Sequence, residues 1–136
     1  DLRCGVAWPT DRERHVLMRV TLPYPPSVNR YYRHVRGRML ISRDGRLYRT
    51  RVCEEMALLS LQAASGRLAV DIKLHPPDNR RRDVDNVLKA LLDSMQHAGL
   101  YEDDSQIYAL SITKCDPVAG GCAAVTIVEL EATGDE

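Results

Sequence analysis

Lysine is scarce in this sequence, and nearly all of its cationic side chains are arginines. The 136 residues contain only three lysines, Lys73, Lys89 and Lys114. A guanidinium is planar and presents a fork of donors that matches phosphate oxygens, whereas an ammonium is a compact point charge. The imbalance therefore favours phosphate groups as the ligands of any basic surface.

Long hydrophobic runs are absent. No stretch approaches the roughly 18 to 20 apolar residues that a membrane-spanning helix needs, and residues 1–14 are charged, without the apolar core of a signal peptide. We therefore expect a soluble, cytoplasmic protein with no membrane partner.

Several common site motifs are missing as well. The four cysteines form no CxxC pair and have no zinc-like spacing, so we expect free thiols. The chain also lacks a GxGxxG motif, a P-loop, a nucleophile elbow and internal repeats, which removes the usual sequence signs of a dinucleotide site, a P-loop NTPase and an α/β-hydrolase.

Opposite charges are concentrated in different parts of a chain whose net charge is zero. Residues 30–51 contain eight arginines and one acid, Asp44, whereas residues 102–136 contain eight acids and one base, Lys114. A polyanion is the expected ligand of the first region and not of the second.

Hydrophobic periodicity predicts one domain of alternating strands and helices. The length suits a single domain with a core of its own, and Pro, Gly and Asp clusters separate the periodic segments. The predicted strands are 16–22, 37–42 (or a hairpin arm), 68–75, 106–114 and 123–131, and the predicted helices are 47–64, after an Asp44-Gly45 turn and ending at Gly66, and 83–98. We expect an α+β fold, a two-layer domain at 16–131 in which two helices pack on a mixed β-sheet, with a loose arm at 1–15 and an acidic tail at 132–136.

An unusual cluster of charge occupies residues 80–86, where three arginines precede Asp83 and Asp85. Two carboxylates this close repel each other unless a cation lies between them, and Mg²⁺ prefers such oxygen ligands. A third acid is available at 102–104, after the next helix. The alternative is structural: Asp83 caps the helix, Asp85 compensates its dipole, and Asp103-Asp104 form a polar turn. Lys89 follows Asp85 by one helical turn, so it either assists this site or forms an ordinary i,i+4 ion pair.

Residues 27–33 interleave hydroxyl, amide, arginine and tyrosine side chains in a predicted loop. Such a mixture can hold a phosphate and stack on a sugar or base. The alternative is a solvated loop whose tyrosines pack onto the core.

Three separated segments, collinear over residues 16–131, resemble the RusA family of Holliday junction resolvases. They are 22–34 (LPYPPSVNRYYRH), 80–93 (RRRDVDN followed by Lys89-Ala90 and Asp93) and 98–107 (AGLYEDDSQI). The resemblance implies a RusA-like fold and a homodimeric, Mg²⁺-dependent endonuclease of DNA recombination and repair, with Mn²⁺ as a substitute metal. Its substrate would be a four-way DNA junction, cut symmetrically in two strands.

The resemblance also implies roles for individual residues. Three aspartates, Asp83, Asp85 and Asp104, match the essential metal-binding acids of the family, and Lys89 matches its functional lysine. We predict that DNA is bound by a further set of residues. These are Asn29, Arg30, Tyr32, Arg33, Arg80, Arg81 and Arg82.

Two other functions remain open at this stage. The chain could be a branched-DNA-binding module without catalysis, in which the acids only cap a helix. It could also be a general metal-dependent nuclease without preference for junctions.

Overall fold

The computed structural model describes residues 15–59 and 62–130 of the chain. Its elements are the strands β1 (His15–Pro23), β2 (Tyr32–Val35), β3 (Arg38–Ile41), β4 (Leu68–His75), β5 (Ile107–Lys114) and β6 (Cys122–Glu129) and the helices α1 (Val28–Tyr31), α2 (Arg43–Leu59) and α3 (Leu88–His97). Short 3₁₀ turns at Val84–Val87 and Asp104–Gln106 precede α3 and β5. The predicted arm, except for His15 at the start of β1, and the predicted tail lie outside the described residues.

The main sheet is mixed and has the strand order β1-β6-β4-β5. Strand β6 pairs antiparallel with both β1 and β4, while β5 runs parallel to β4. A parallel neighbour requires a crossover connection, and the segment containing α3 supplies it. The predicted α+β fold with a mixed sheet is confirmed.

One hydrophobic core lies between the sheet and the two long helices. Alternate residues of β4 contribute Leu68, Val70, Ile72 and Leu74, none of them more than 1% exposed. Helices α2 and α3 cover this face with apolar side chains at helical spacing. These are Tyr48, Val52 and Met56 from α2 and Leu91 and Met95 from α3. The two predicted helices therefore share one face of the sheet.

A separate β2–β3 hairpin extends from the domain and contributes no buried residue. Its turn consists of Arg36 and Gly37, whose φ angles are 50° and 75°. Two successive positive φ angles are characteristic of the tight turns that match the twist of a hairpin. The predicted hairpin arm is confirmed. Its first strand, β2, begins within the predicted loop at 27–33, and the rest of that loop includes the single helical turn α1.

Helix α2 begins four residues before its predicted start, so the predicted Asp44-Gly45 turn is wrong. Ser42 caps the helix, because its Oγ accepts a hydrogen bond from the Gly45 amide (3.0 Å) and its carbonyl accepts one from the Arg46 amide (2.9 Å). Glycine is needed at 45 for close packing, since a Cβ there would lie 2.5 Å from the Tyr31 carbonyl oxygen.

The predicted end of the first helix, at residues 64–66, and the predicted start of the second, at residue 83, are also wrong. Residues 62–66 are not helical; the Ala64 amide donates instead to the Leu100 carbonyl (2.8 Å), and Ala64 forms a bridge with Tyr101. Between Val84 and Val87 the chain forms a 3₁₀ turn, and only at Leu88 does the α-helix begin. No helix in the described part of the chain is both long and apolar enough to cross a membrane.

Replacing Gly45 with alanine should destabilise the domain by about 1–3 kcal/mol, because the new methyl group would overlap the Tyr31 carbonyl and the Ile41 side chain. A Gly→Ala change within a helix ordinarily stabilises it by about 0.5–1 kcal/mol. The sign of the change in unfolding free energy, measured by urea denaturation, therefore tests the contact. An unchanged or increased stability would contradict it.

Candidate active site

The segment that carries Asp83 and Asp85 is held in place by Asp78. Its Oδ1 accepts hydrogen bonds from the Arg82 guanidinium (2.7 Å) and the Arg80 amide (3.0 Å), and these bonds lower the pKa of Asp78. The Lys114 ammonium donates to the Arg82 carbonyl at 3.1 Å, which ties the segment to the end of β5. The Arg82 side chain, only 23% exposed, therefore has a structural role, whereas Arg80 is 83% exposed.

Asp83 and Asp85 are both exposed, and neither forms an ion pair with any described residue. Asp83 occupies the N-cap position of the 3₁₀ turn, but its side chain accepts no capping hydrogen bond. The capping role considered for Asp83 is therefore not observed, and its carboxylate oxygens are available to a ligand.

Asp104 begins the second 3₁₀ turn, and its neighbour Asp103 performs the capping. The Asp103 side chain accepts from the Ser105 amide at 2.9 Å, and the Gln106 side chain accepts from the Asp103 amide at 3.0 Å. The alternative in which these acids only form a polar turn therefore describes the side chain of Asp103, but not that of Asp104. The Asp104 amide donates to the Gln96 side chain at 2.9 Å, so Asp104 lies beside the C-terminal end of α3.

The three predicted metal ligands do not converge within one chain. Asp83 and Asp85 precede the N-terminal end of α3, and Asp104 adjoins Gln96, eight residues along the helix, which corresponds to about 12 Å of helical rise. Among the described residues, no group of three His, Cys, Asp or Glu side chains is arranged to hold a metal. The donor type at 83 and 85, an exposed carboxylate oxygen without an ion pair among the described residues, fits Mg²⁺, but the described arrangement in a single chain leaves the set incomplete.

Lys89 lies in the first turn of α3 with an exposed side chain. In the part of the chain that the structure describes, Lys89 forms no ion pair, so the i,i+4 pair with Asp85 that was considered as an alternative is not present. Its ammonium remains accessible to an external anion.

A network of hydrogen bonds joins α1, α2 and α3 one helical turn beyond Lys89. The Arg49 guanidinium donates to Asp93 Oδ2 (2.6 Å) and to the Tyr31 hydroxyl (2.8 Å), and that hydroxyl also donates to Asp93. Burial by itself would raise the pKa of Asp93, but hydrogen bonds from Arg49 and Tyr31 and the nearby charge of Lys89 keep it below its ordinary value. The sequence analysis names Asp93 only as part of the segment 80–93 and misses Arg49, because 44 residues separate the partners.

The predicted DNA-binding segment at 27–33 is divided between surface and core. Tyr31 is completely buried, as the packing alternative expected, whereas Asn29, Arg30 and Arg33 are exposed and Tyr32 is half-buried. Arg30 forms an exposed ion pair with Asp44 (3.3 Å). This ion pair places Arg30 on the surface beside α2.

A cleft of about 820 Å³ brings the separated segments together. Its lining includes Arg30, Leu47 and Arg51, the segment residues Arg82 and Asp83, and the acids Asp44 and Glu54 of α2. This volume lies within the usual range for binding pockets. A predicted metal ligand thus lines the same cleft as Arg30, Arg51 and Arg82.

The cysteines take no part in this site. Cys53, Cys115 and Cys122 are free thiols, which confirms the prediction for these three, while Cys4 lies outside the described residues.

Comparison with known proteins relates the chain to one family over most of its length. The family model described as Endodeoxyribonuclease RusA matches residues 23–130. The chain is 42% identical over 113 residues to the protein named Crossover junction endodeoxyribonuclease RusA from Escherichia coli (strain K12), covering 82% of this chain and 93% of that protein. The same values hold for the protein from Enterobacteria phage 82. A relative from Escherichia coli O139:H28 is 41% identical over 119 residues, covering 86% of this chain and 96% of that protein.

Replacing Asp93 with asparagine should lower the unfolding free energy by about 1–3 kcal/mol near neutral pH, because charge-assisted hydrogen bonds to a partly buried carboxylate are lost. The folded-state pKa of Asp93 is depressed, so this stabilisation is fully present above the unfolded pKa of about 4 and disappears as the pH falls through the folded value. The difference between wild type and variant should therefore shrink below about pH 4.

The matched control is Asp44→Asn, which breaks an exposed ion pair with Arg30 and should cost less than about 1 kcal/mol. Denaturation measured from pH 3 to pH 7 separates the two variants. Equal effects at both positions would contradict a structural role for the Asp93 network.

Proposed function

The chain belongs to the RusA family of endodeoxyribonucleases, and from this membership we propose that it resolves four-way DNA junctions by paired, symmetric, Mg²⁺-dependent hydrolysis. The reaction would serve DNA recombination and repair in the cytoplasm. The relatives are named for crossover junctions, which motivates the choice of substrate.

One observation carries the proposal: Asp83, a carboxylate without an ion-pair partner among the described residues, lines the same cleft as Arg30, Arg51 and Arg82. The guanidiniums favour a phosphate backbone in the cleft. A carboxylate on that surface opposes DNA binding by itself, and a cation held between Asp83 and the phosphate would remove this repulsion.

The chemistry proposed is direct hydrolysis of a phosphodiester. Water attacks phosphorus, the bond to the 3′ oxygen breaks, and the leaving oxygen takes up a proton. Asp83, Asp85 and Asp104 would hold Mg²⁺, or Mn²⁺ in its place. The metal would supply a water that is nucleophilic near neutral pH and would neutralise charge on the phosphate. Lys89 would offset the negative charge that develops in the transition state.

DNA binding is assigned to exposed residues on both sides of the cleft. Arg80 and Arg81 are exposed and suit phosphates that flank the cleaved bond, while Arg82 combines a contact to the cleft with its structural bond to Asp78. Asn29, Arg30 and Arg33 would contact the backbone on the other side, and the half-buried Tyr32 offers its exposed edge to a sugar or base.

We also propose that the active form is a homodimer in which two chains complete each metal site. Symmetric cleavage of a junction needs two sites related by a two-fold axis. Because α3 separates Asp104 from Asp83 and Asp85 in one chain, a two-fold axis that brings Asp104 of the partner subunit to Asp83 and Asp85 would supply the third ligand.

The test of function is a synthetic mobile four-way junction incubated with the protein, with and without Mg²⁺. Asp83→Asn, Asp85→Asn and Asp104→Asn should each abolish cleavage while junction binding is retained or strengthened, because each removes a ligand charge and reduces repulsion of phosphate. A variant that cuts at the wild-type rate would remove that residue from the ligand set. Binding without Mg²⁺-dependent cleavage would indicate a binding module, and equal cleavage of linear duplex would indicate a general nuclease.

Mixing two inactive variants tests the shared site. In a heterodimer of Asp83→Asn and Asp104→Asn subunits, one composite site retains all three aspartates and the other lacks two. The mixture should therefore regain nicking of one strand, whereas each variant alone stays inactive. If each chain holds its own complete site, the mixture will remain inactive. Light scattering tests the dimer itself: a protein that is monomeric at the working concentration and still makes paired cuts would contradict it.

A further inference from the structure

Lys89 and Asp93 occupy positions i and i+4 of α3, the spacing at which opposite charges on a helix surface attract each other. The charge of Lys89 contributes to the lowered pKa of Asp93, so the two groups interact electrostatically. The two side chains nevertheless form no ion pair, although both are described. A stronger partner for this carboxylate would account for the missing pair.

The competitor is Arg49 of α2. Its guanidinium approaches Asp93 Oδ2 to 2.6 Å and donates a second hydrogen bond to the Tyr31 hydroxyl at 2.8 Å. The fully buried Tyr31 ring fixes that hydroxyl, and the guanidinium carbon lies 5.8 Å from the ring centroid. Arg49 is thus oriented towards Asp93 by two independent contacts with Tyr31.

Partial burial favours arginine over lysine as the partner. The side chains of Arg49 and Asp93 are only 23% and 28% exposed. A guanidinium is less strongly hydrated than an ammonium and loses less on leaving water. Lys89, with its flexible stem and exposed head, has no comparable anchor. The ion pair between α2 and α3 therefore forms in preference to the one within α3.

We propose that Arg49 is a positioning residue for DNA cleavage: by neutralising Asp93, it prevents Lys89 from being captured by its own helix and leaves the Lys89 ammonium free for the DNA phosphate. The inference rests on the proposed role of Lys89 in cleavage. Arg49 itself touches neither the reacting phosphate nor the metal ligands in this scheme, and it acts only through Asp93.

The central experiment is a charge-removal series at the two positions. Arg49→Gln leaves the Asp93 carboxylate without its cation, so Lys89 should pair with it. An exposed i,i+4 pair forms only part of the time, but Asp93 is partly buried and attracts a cation more strongly. Single-turnover cleavage at saturating protein should therefore slow about three- to tenfold, towards the rate of Lys89→Ala.

Rescue distinguishes positioning from simple support of the fold. The double variant Arg49→Gln/Asp93→Asn lacks the carboxylate that captures Lys89, so its single-turnover rate should return to near the wild-type value although it has lost more bonds. A network that acts only by holding the helices together predicts the opposite order. A double variant as slow as Arg49→Gln would overturn the proposal.

A spectroscopic measurement on the free protein tests the pairing of Lys89 without DNA and without an activity assay. Ion pairing slows the exchange of ammonium protons with water, so the ¹⁵N signal of the Lys89 ammonium should become observable in Arg49→Gln and disappear again in the double variant. Arg30→Gln is the matched control, because it removes an equal charge from the Asp44 ion pair and should leave the Lys89 signal as in wild type. An unchanged Lys89 signal in Arg49→Gln would also overturn the proposal.

Two further comparisons keep the result interpretable. Arg49→Lys retains the positive charge beside Asp93, so it should cleave faster than Arg49→Gln even if the bond to Tyr31 is lost; equal slowing would count against the proposal. If Lys89→Ala does not slow cleavage, the proposed role of Lys89 in cleavage is wrong. The ammonium signal still decides separately whether Lys89 pairs with Asp93 when Arg49 is replaced.

Discussion

The packing of α3 on the central strand β4 is the constraint on which the rest of the site depends. Leu91 and Met95 of α3 are fully buried in the same hydrophobic core as the β4 side chains, so the helix cannot rotate or slide without exposing them. Asp85 and Lys89 at one end of the helix, and Asp104 beside Gln96 at the other, have their places determined by that contact. A hydrophobic interaction therefore sets the position of groups whose chemistry is wholly electrostatic.

Charged side chains near the site divide into those that stabilise the structure and those left for a ligand. Asp78, Asp93 and Asp103 accept defined hydrogen bonds, and the pKa of each lies below its ordinary value because of them. Asp83 and Asp85 form no ion pair with a described residue. Nearby acids therefore differ within the described residues: Asp78, Asp93 and Asp103 build a turn or a helix contact, whereas Asp83 and Asp85 form no ion pair there.

Much of the fold followed from local patterns, and the errors share a cause. Alternation in β4 and helical spacing in α3 were sufficient because each pattern reports burial of one face. The start of α2 was predicted wrongly, since Gly45 is also a common turn residue and only the Tyr31 carbonyl beside it explains its place inside a helix. Tyr31 itself was assigned to a loop, although it is buried and bonded to Arg49.

For the candidate site, the sequence by itself determined residue types and order: two close carboxylates after three arginines, a lysine one turn later, and a third acid beyond the helix. Residue types, their order and their separation along the chain can be read without knowing how the segments pack in space. Only the tertiary structure decided that Asp104 adjoins the far end of α3, that Asp103 rather than Asp104 caps its turn, and that Arg49 pairs with Asp93. Contacts between distant segments depend on how helices pack on the sheet, which no local pattern encodes.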